Sequence, residues 1–179
     1  MIILIGGSSH VGKTYLAQRL LERTGYPYLS LDHLKMGLIR TGMTRLTVDD
    51  DYEMRYFLWP IAAEMIKTAI ENKQNMIVEG CYIPGEWKES FTEEYLKEIR
   101  CAFIVMSEDY IRKNSGSITD FANVIESRLK DEVDIERLIC CSRDFKEDCG
   151  RNQIHCLEIT DHYDPAEIEE RFIDLVGGI

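Results

Sequence analysis

The chain opens on an unbroken apolar run, Met1 to Ile5, and from there strand-like and helix-like patterns alternate to the end. A run that is apolar at every position reads as a strand covered on both faces, as parallel strands are. Lys13 to Thr24 has helical spacing, with Leu16, Leu20 and Leu21 to one side and Gly25 and Pro27 marking its end. Tyr28 to Leu31 reads as a second strand ending at Asp32, and His33 to Arg40 as a helix stopped by Gly42. Asp49-Asp50-Asp51 suits the cap of a helix that runs to about Asn72, with Phe57, Ile61, Met65 and Ala69 as its repeating apolar face. Pro60 lies inside that span and predicts a kink or a break.

Asn75 to Glu79 is expected as the third strand, followed by a turn at Ile83-Pro84-Gly85 and a short helix to about Glu98. Cys101 to Met106 is the fourth strand. Tyr110 to Glu136 is polar and charged, and reads as helical pieces around a mobile segment. Ile135 to Cys149 is one helix ended by Gly150, and Ile154 to Ile159 is the fifth strand. Pro165 opens a last helix reaching about Val176, since proline fits a first helical turn. Strands alternating with helices predict an α/β fold, with a parallel sheet and helices on both faces. No repeat, low-complexity stretch or linker divides residues 1–179, so one domain is expected.

Composition narrows the function. Hydrophobic residues make up 45% and charged residues 30%, an ordinary soluble balance. The net charge of −11 repels a nucleic-acid backbone and argues against DNA or RNA as the main partner. The six cysteines include no C-x-x-C pair and no zinc spacing. Gly6 and Gly7 end the apolar start too soon for a secretory signal, and no run approaches the roughly 20 apolar residues of a membrane span. Reduced thiols in a cytoplasmic protein are expected.

Gly7-Ser8-Ser9-His10-Val11-Gly12-Lys13-Thr14 fits G-x-x-x-x-G-K-[ST]. The glycines let the backbone approach phosphates closely, and successive N–H groups with the helix N-terminus behind them face the anion. Lys13 would reach the β- and γ-phosphates, and the Thr14 hydroxyl would ligate Mg²⁺. The fixed positions recur by chance in about one chain in two hundred of this length, and here the match also follows a strand and opens a helix.

With that loop at the N-terminus, Asp32 closing Leu29-Ser30-Leu31-Asp32 and Glu79-Gly80 ending the third strand, the chain resembles the P-loop small-molecule kinases. These are the adenylate-kinase, shikimate-kinase, chloramphenicol-phosphotransferase and zeta-toxin-like group. The resemblance implies a three-layer P-loop NTPase fold with strand order 2-3-1-4-5 and a small helical lid over about residues 110–136. It implies ATP- and Mg²⁺-dependent transfer of a γ-phosphoryl group to a small-molecule acceptor. A GTPase would need N-K-x-D after a strand, whereas Asn72-Lys73-Gln74-Asn75 lacks the Asp and precedes one.

Within that reading Asp32 is the candidate catalytic base, because transfer to an alcohol needs a carboxylate that orients the hydroxyl and accepts its proton. Asp32 could instead, or as well, cap the helix beginning at His33. Glu79 could hold Mg²⁺ through water, bind the acceptor, or simply bond a nearby amide. Arg40, and less so Arg55, are candidates for an anionic acceptor group. Arg112, Lys113, Arg128, Lys130, Arg137 and Arg143 are the lid cations; Arg112 is the first choice to reach the phosphates, and Arg128 and Arg137 are weaker ones. Tyr52, Tyr56, Phe57 and Trp59 either line an acceptor pocket or pack in the core. Alternative functions are a nucleotide-binding regulator with little turnover and a nucleoside or nucleotide monophosphate kinase.

Overall fold

The computed structural model describes residues 1–121 and 134–179. Its strands are β1 (Ile2–Gly7), β2 (Tyr28–Ser30), β3 (Met76–Glu79), β4 (Ile99–Met106) and β5 (His155–Ile159). They form one parallel sheet in the order β2-β3-β1-β4-β5. The helices are α1 (Lys13–Thr24), α2 (Leu31–Arg40), α3 (Asp51–Glu71), α4 (Glu93–Leu96), α5 (Glu108–Lys113), α6 (Ser115–Phe121), α7 (Ile135–Asn152) and α8 (Pro165–Leu175).

Alternation along β1 explains its unbroken apolar run. Ile2 and Leu4 face a core shared with α3 and the segment after β3, while Ile3 and Ile5 face a core shared with α1, α5 and α8. Both faces are dry, so every position must be apolar. The segment 122–133, with Arg128 and Lys130 of the expected lid, lies outside the described residues.

Several boundaries differ from the sequence expectation. β1 extends through Gly6 and Gly7, which pair with Phe103 and Ile104 of β4. β2 ends at Ser30 and α2 starts at Leu31, so Asp32 sits in the first helical turn rather than on the strand end or the cap. α3 runs unbroken through Pro60, which is exposed, so water can meet the carbonyl that proline leaves unbonded. Its buried face is Met54, Leu58, Ala62, Ile66 and Ala69, and Met65 is exposed. Apolar residues surround much of α3, so spacing alone picked a neighbouring stripe, of which Ala69 is buried and Phe57 packs against the core. The helix expected up to Glu98 is a 3₁₀ turn, Trp87–Ser90, followed by the single turn α4. Gly150 lies inside α7, which stops at Gln153 in a left-handed cap. Among the described residues no helix is long and apolar enough to cross a membrane.

Candidate functional site

The C-terminal ends of β1, β2 and β3 meet at one edge of the sheet, where ligands of open α/β sheets bind. The loop after β1 fills this edge. Gly7 has φ +117° and Gly12 has φ +83°, both outside the usual range of other residues. A Cβ at Gly7 would lie 2.0 Å from the Ile104 carbonyl oxygen. One at Gly12 would lie 1.9 Å from the Tyr163 hydroxyl. At Gly7 glycine is therefore needed for space as well as for dihedral angle, since backbone blocks the Cβ, whereas at Gly12 the blocking atom is the end of a side chain. His10 also takes a left-handed conformation, at φ +60°, and the turn at Ser9 leads into it. Val11 points into the core and pins the loop from below.

Lys13 is buried, and its Nζ donates across the loop to the Ser8 carbonyl at 2.6 Å. Thr14 begins the inner face of α1, and its Oγ1 donates to Glu79 Oε1 at 3.2 Å. Glu79 itself is 1% exposed at the end of β3. A hydroxyl and a carboxylate oxygen side by side beneath a glycine cradle are the hard donors that suit Mg²⁺. The loop, the lysine and this oxygen pair fit a Mg²⁺-bound polyphosphate.

The rear of the loop is tied to α7. Ser8 is fully buried, with its amide bonded to the Ile104 carbonyl and its hydroxyl 3.3 Å from Ser142 Oγ. Ser142 Oγ also donates to the Met106 carbonyl at 2.7 Å and accepts from the Met106 amide at 2.9 Å. Tyr163, from the loop after β5, covers Gly12, and burial pushes its phenol up to about 12.

Asp32, half-buried, opens α2 beside this edge. The Cys81 thiol lies within electrostatic reach of Asp32, Lys13 and Asp51, and burial foremost, then Asp32, pushes it up to about 11. Arg40 is exposed in the last turn of the same helix, about 12 Å along its axis from Asp32. The helix thus separates the two candidates instead of joining them. Arg112 is exposed on α5 and engaged by two carboxylates, Glu108 at 2.9 Å and Glu136 at 2.7 Å. The hydrogen bonds to Glu136 and then Glu108 raise its pKa. Arg143 also binds Glu108, and Arg55 stacks 4.8 Å over the Phe145 ring. Of the aromatic group, Trp59 is core and donates to Ser90 Oγ, and Phe57 packs against the core. Tyr52 and Tyr56 are exposed and meet edge to face.

Two residues not singled out from the sequence, Lys35 and Tyr82, converge here on Asp51 and Arg137. Buried Lys35 of α2 binds Asp51 and the Tyr82 hydroxyl, and Asp51 also takes Arg137 of α7. One signal for Lys35 was readable: it follows Leu31 by four residues, so it lies on the apolar face of its helix. Ser142 gave no such signal.

No protein-family model matches the chain, and no curated protein matches it by sequence. Solved structures match it along nearly its whole length. A gluconokinase from Sinorhizobium meliloti 1021 is 17% identical with a TM-score of 0.55, over 98% of this chain and 90% of that one. A sugar kinase from Janibacter sp. HTCC2649 is 12% identical with a TM-score of 0.55, over 98% of this chain and 95% of that one. The shikimate kinase of Aquifex aeolicus is 16% identical with a TM-score of 0.51, over 99% of this chain and 100% of that one. The chain therefore has the fold of the P-loop small-molecule kinases.

Proposed function

We propose that residues 1–179 act as one domain that transfers the γ-phosphoryl group of ATP to a small-molecule acceptor. The observation that carries this reading is the contact of Thr14 with buried Glu79 beneath a loop whose Gly7 leaves no room for a Cβ and whose Gly12 has a left-handed backbone. The kinase neighbours support it at the level of fold. In this reading the loop amides and Lys13 hold the β- and γ-phosphates, and Thr14, with Glu79 behind it, holds Mg²⁺. Bound there, Mg²⁺ would supply positive charge to offset that of the phosphates. Asp32 orients the acceptor hydroxyl and takes its proton as the new O–P bond forms and the bond to the β-phosphate oxygen breaks, releasing ADP. Arg112 and Arg128 are the candidates to meet the charge on the transferred group. Arg112 must first leave Glu136. The acidic balance and the cysteine usage support a cytoplasmic enzyme with no nucleic-acid partner.

The engagement of Arg112 by Glu108 and Glu136 favours one second reading, a nucleotide-binding regulator with little turnover. One experiment separates the two. ADP release is measured with a panel of nucleosides, nucleoside monophosphates, sugars, hydroxy acids and phosphate esters. At least one acceptor is expected to stimulate turnover, and Asp32→Asn to lower that rate about 10²–10⁴-fold with ATP affinity unchanged. No stimulation by any acceptor, or an Asp32→Asn protein at full rate, overturns the kinase reading.

A further inference from the structure

The carboxylate of Asp51 sits in a cradle built by three other elements. Its Oδ1 accepts from Lys35 Nζ at 3.1 Å and from the Tyr82 hydroxyl at 3.0 Å. Its Oδ2 accepts from the Arg137 guanidinium at 2.9 Å. Lys35 comes from α2, Tyr82 from the segment after β3 and Arg137 from the first turn of α7. Lys35 Nζ also donates to the Tyr82 hydroxyl at 2.5 Å. The back of the cradle is dry, with the Lys35 side chain 9% exposed and Tyr82 2%. The front is wet, with the Asp51 and Arg137 side chains 46% and 64% exposed. Burial first, and then nearby negative charge including Asp32 and Asp51, hold the Tyr82 phenol far above its ordinary range, so it stays a neutral donor.

Two cations and a phenol converging on two oxygens is the donor set of a carboxylate or phosphate receptor. A lysine this buried needs an anion at hand. Asp51 supplies one from a position that can give way. It is the first residue of α3, follows the largely exposed segment 41–50, and is itself half-exposed. The cradle also adjoins the transfer chemistry, since Tyr82 lies three residues past Glu79 at the end of β3 and Lys35 three residues past Asp32 on α2.

We propose that Lys35, Tyr82 and Arg137 form the receptor for an anionic group of the acceptor, and that Asp51 occupies it until that group displaces it. The inference rests on reading this edge of the sheet as an acceptor pocket and adds the substrate class: a hydroxylated carboxylic acid or phosphate ester. Exchange is feasible because one anion replaces another against buried Lys35, so the lysine is never left uncompensated. A neutral sugar or nucleoside offers no such replacement and leaves Asp51 in place, which makes the aspartate a selectivity gate.

The test is equilibrium binding by calorimetry, with ADP and Mg²⁺ saturating the phosphate loop and with inorganic phosphate and glycerate as separate probes. Self-occupancy lowers apparent affinity by the fraction of open receptor, so Asp51→Asn is expected to tighten one probe at least about tenfold. The probe that gains tells a phosphorylated acceptor from a carboxylic one. Adding Lys35→Met to Asp51→Asn abolishes the gain. Should Asn at 51 prevent folding, Asp51→Ser removes the charge with a smaller polar group and carries the same expectation. If neither probe tightens, or the gain survives Lys35→Met, the inference is overturned. No phosphoryl transfer enters this measurement. Tightened anion binding with no stimulated ADP release sinks the kinase reading alone, whereas stimulated turnover without the gain sinks the receptor alone.

Discussion

Replacing Ser142 with alanine removes one oxygen on which three groups converge. The Met106 amide donates to it, the Met106 carbonyl accepts from it, and the Ser8 hydroxyl lies 3.3 Å away. Ser142 is 3% exposed, Ser8 0% and Met106 5%, so water does not readily replace the lost contacts. A buried amide left without a partner costs about 1–3 kcal/mol, and each further lost hydrogen bond about 1 kcal/mol. Alanine returns about 0.5 kcal/mol through its better helix propensity. The net expectation is a loss of about 2.5–4.5 kcal/mol, which a domain with the usual 5–15 kcal/mol survives folded. For a chain of this length that lowers Tm by about 5–18 °C. Thermal and urea unfolding followed by circular dichroism measure it, with Ser142→Thr as the control that keeps a hydroxyl. ATP affinity should fall as well, because Ser8 belongs to the phosphate loop. An S142A protein whose unfolding free energy stays within about 0.5 kcal/mol of the unsubstituted one would refute the reasoning, because that is the range of an inconsequential surface change.

Gly7→Ala and Gly25→Ala should differ sharply although both residues have positive φ. At Gly7 the new methyl meets the Ile104 backbone, so a loss above about 3 kcal/mol in urea unfolding is expected. At Gly25 nothing lies within 4 Å, so the loss is about 1 kcal/mol; equal losses would contradict this account. Arg112→Gln tests the pair with Glu108 and Glu136, whose pKa values lie below the ordinary 4.5 chiefly through hydrogen bonds from Arg112. Depressed carboxylates stabilise above their unfolded value, so the Tm gap to the unsubstituted protein should be full above pH 4.5 and close as pH falls through the depressed values. A gap that widens on acidification contradicts the pairing. Iodoacetamide at neutral pH should label exposed Cys140 well before Cys81, whose thiol is pushed up to about 11. Mass spectrometry of the peptides decides the order.

The architecture was legible because its signals are local. Ile2 to Ile5 had to be apolar on both sides of the chain to sit between two cores, and that run announced a doubly covered parallel strand. Gly25 and Pro165 ended and opened their helices as their backbone preferences require. The errors came where tertiary packing decides between local equivalents. α3 is apolar on too many sides for spacing to choose its buried face, and Gly150 is tolerated inside α7 because the helix is held by Phe145 and Cys149 packing on the sheet. Asp32 shifted from cap to first turn because Leu31, fully buried, was recruited into the helix.

The two halves of the candidate site were unequally legible for the same reason. The donor half is eight consecutive residues, and its chemistry lies in their backbone dihedrals and one lysine, so a contiguous motif carries it. The acceptor cradle joins positions 35, 51, 82 and 137 from four elements, and no spacing rule links them. What the sequence held was one local inconsistency: a lysine on the apolar face of α2, four residues after fully buried Leu31. Burying that ammonium demands an anion, and the nearest in sequence, Asp32, lies three positions away on the same helix. The fold instead brings Asp51 from the next helix, and with it Arg137 from the far side of the site. A charge that breaks its own helix's pattern marks where another element must arrive, and here that element closes the acceptor side of the pocket.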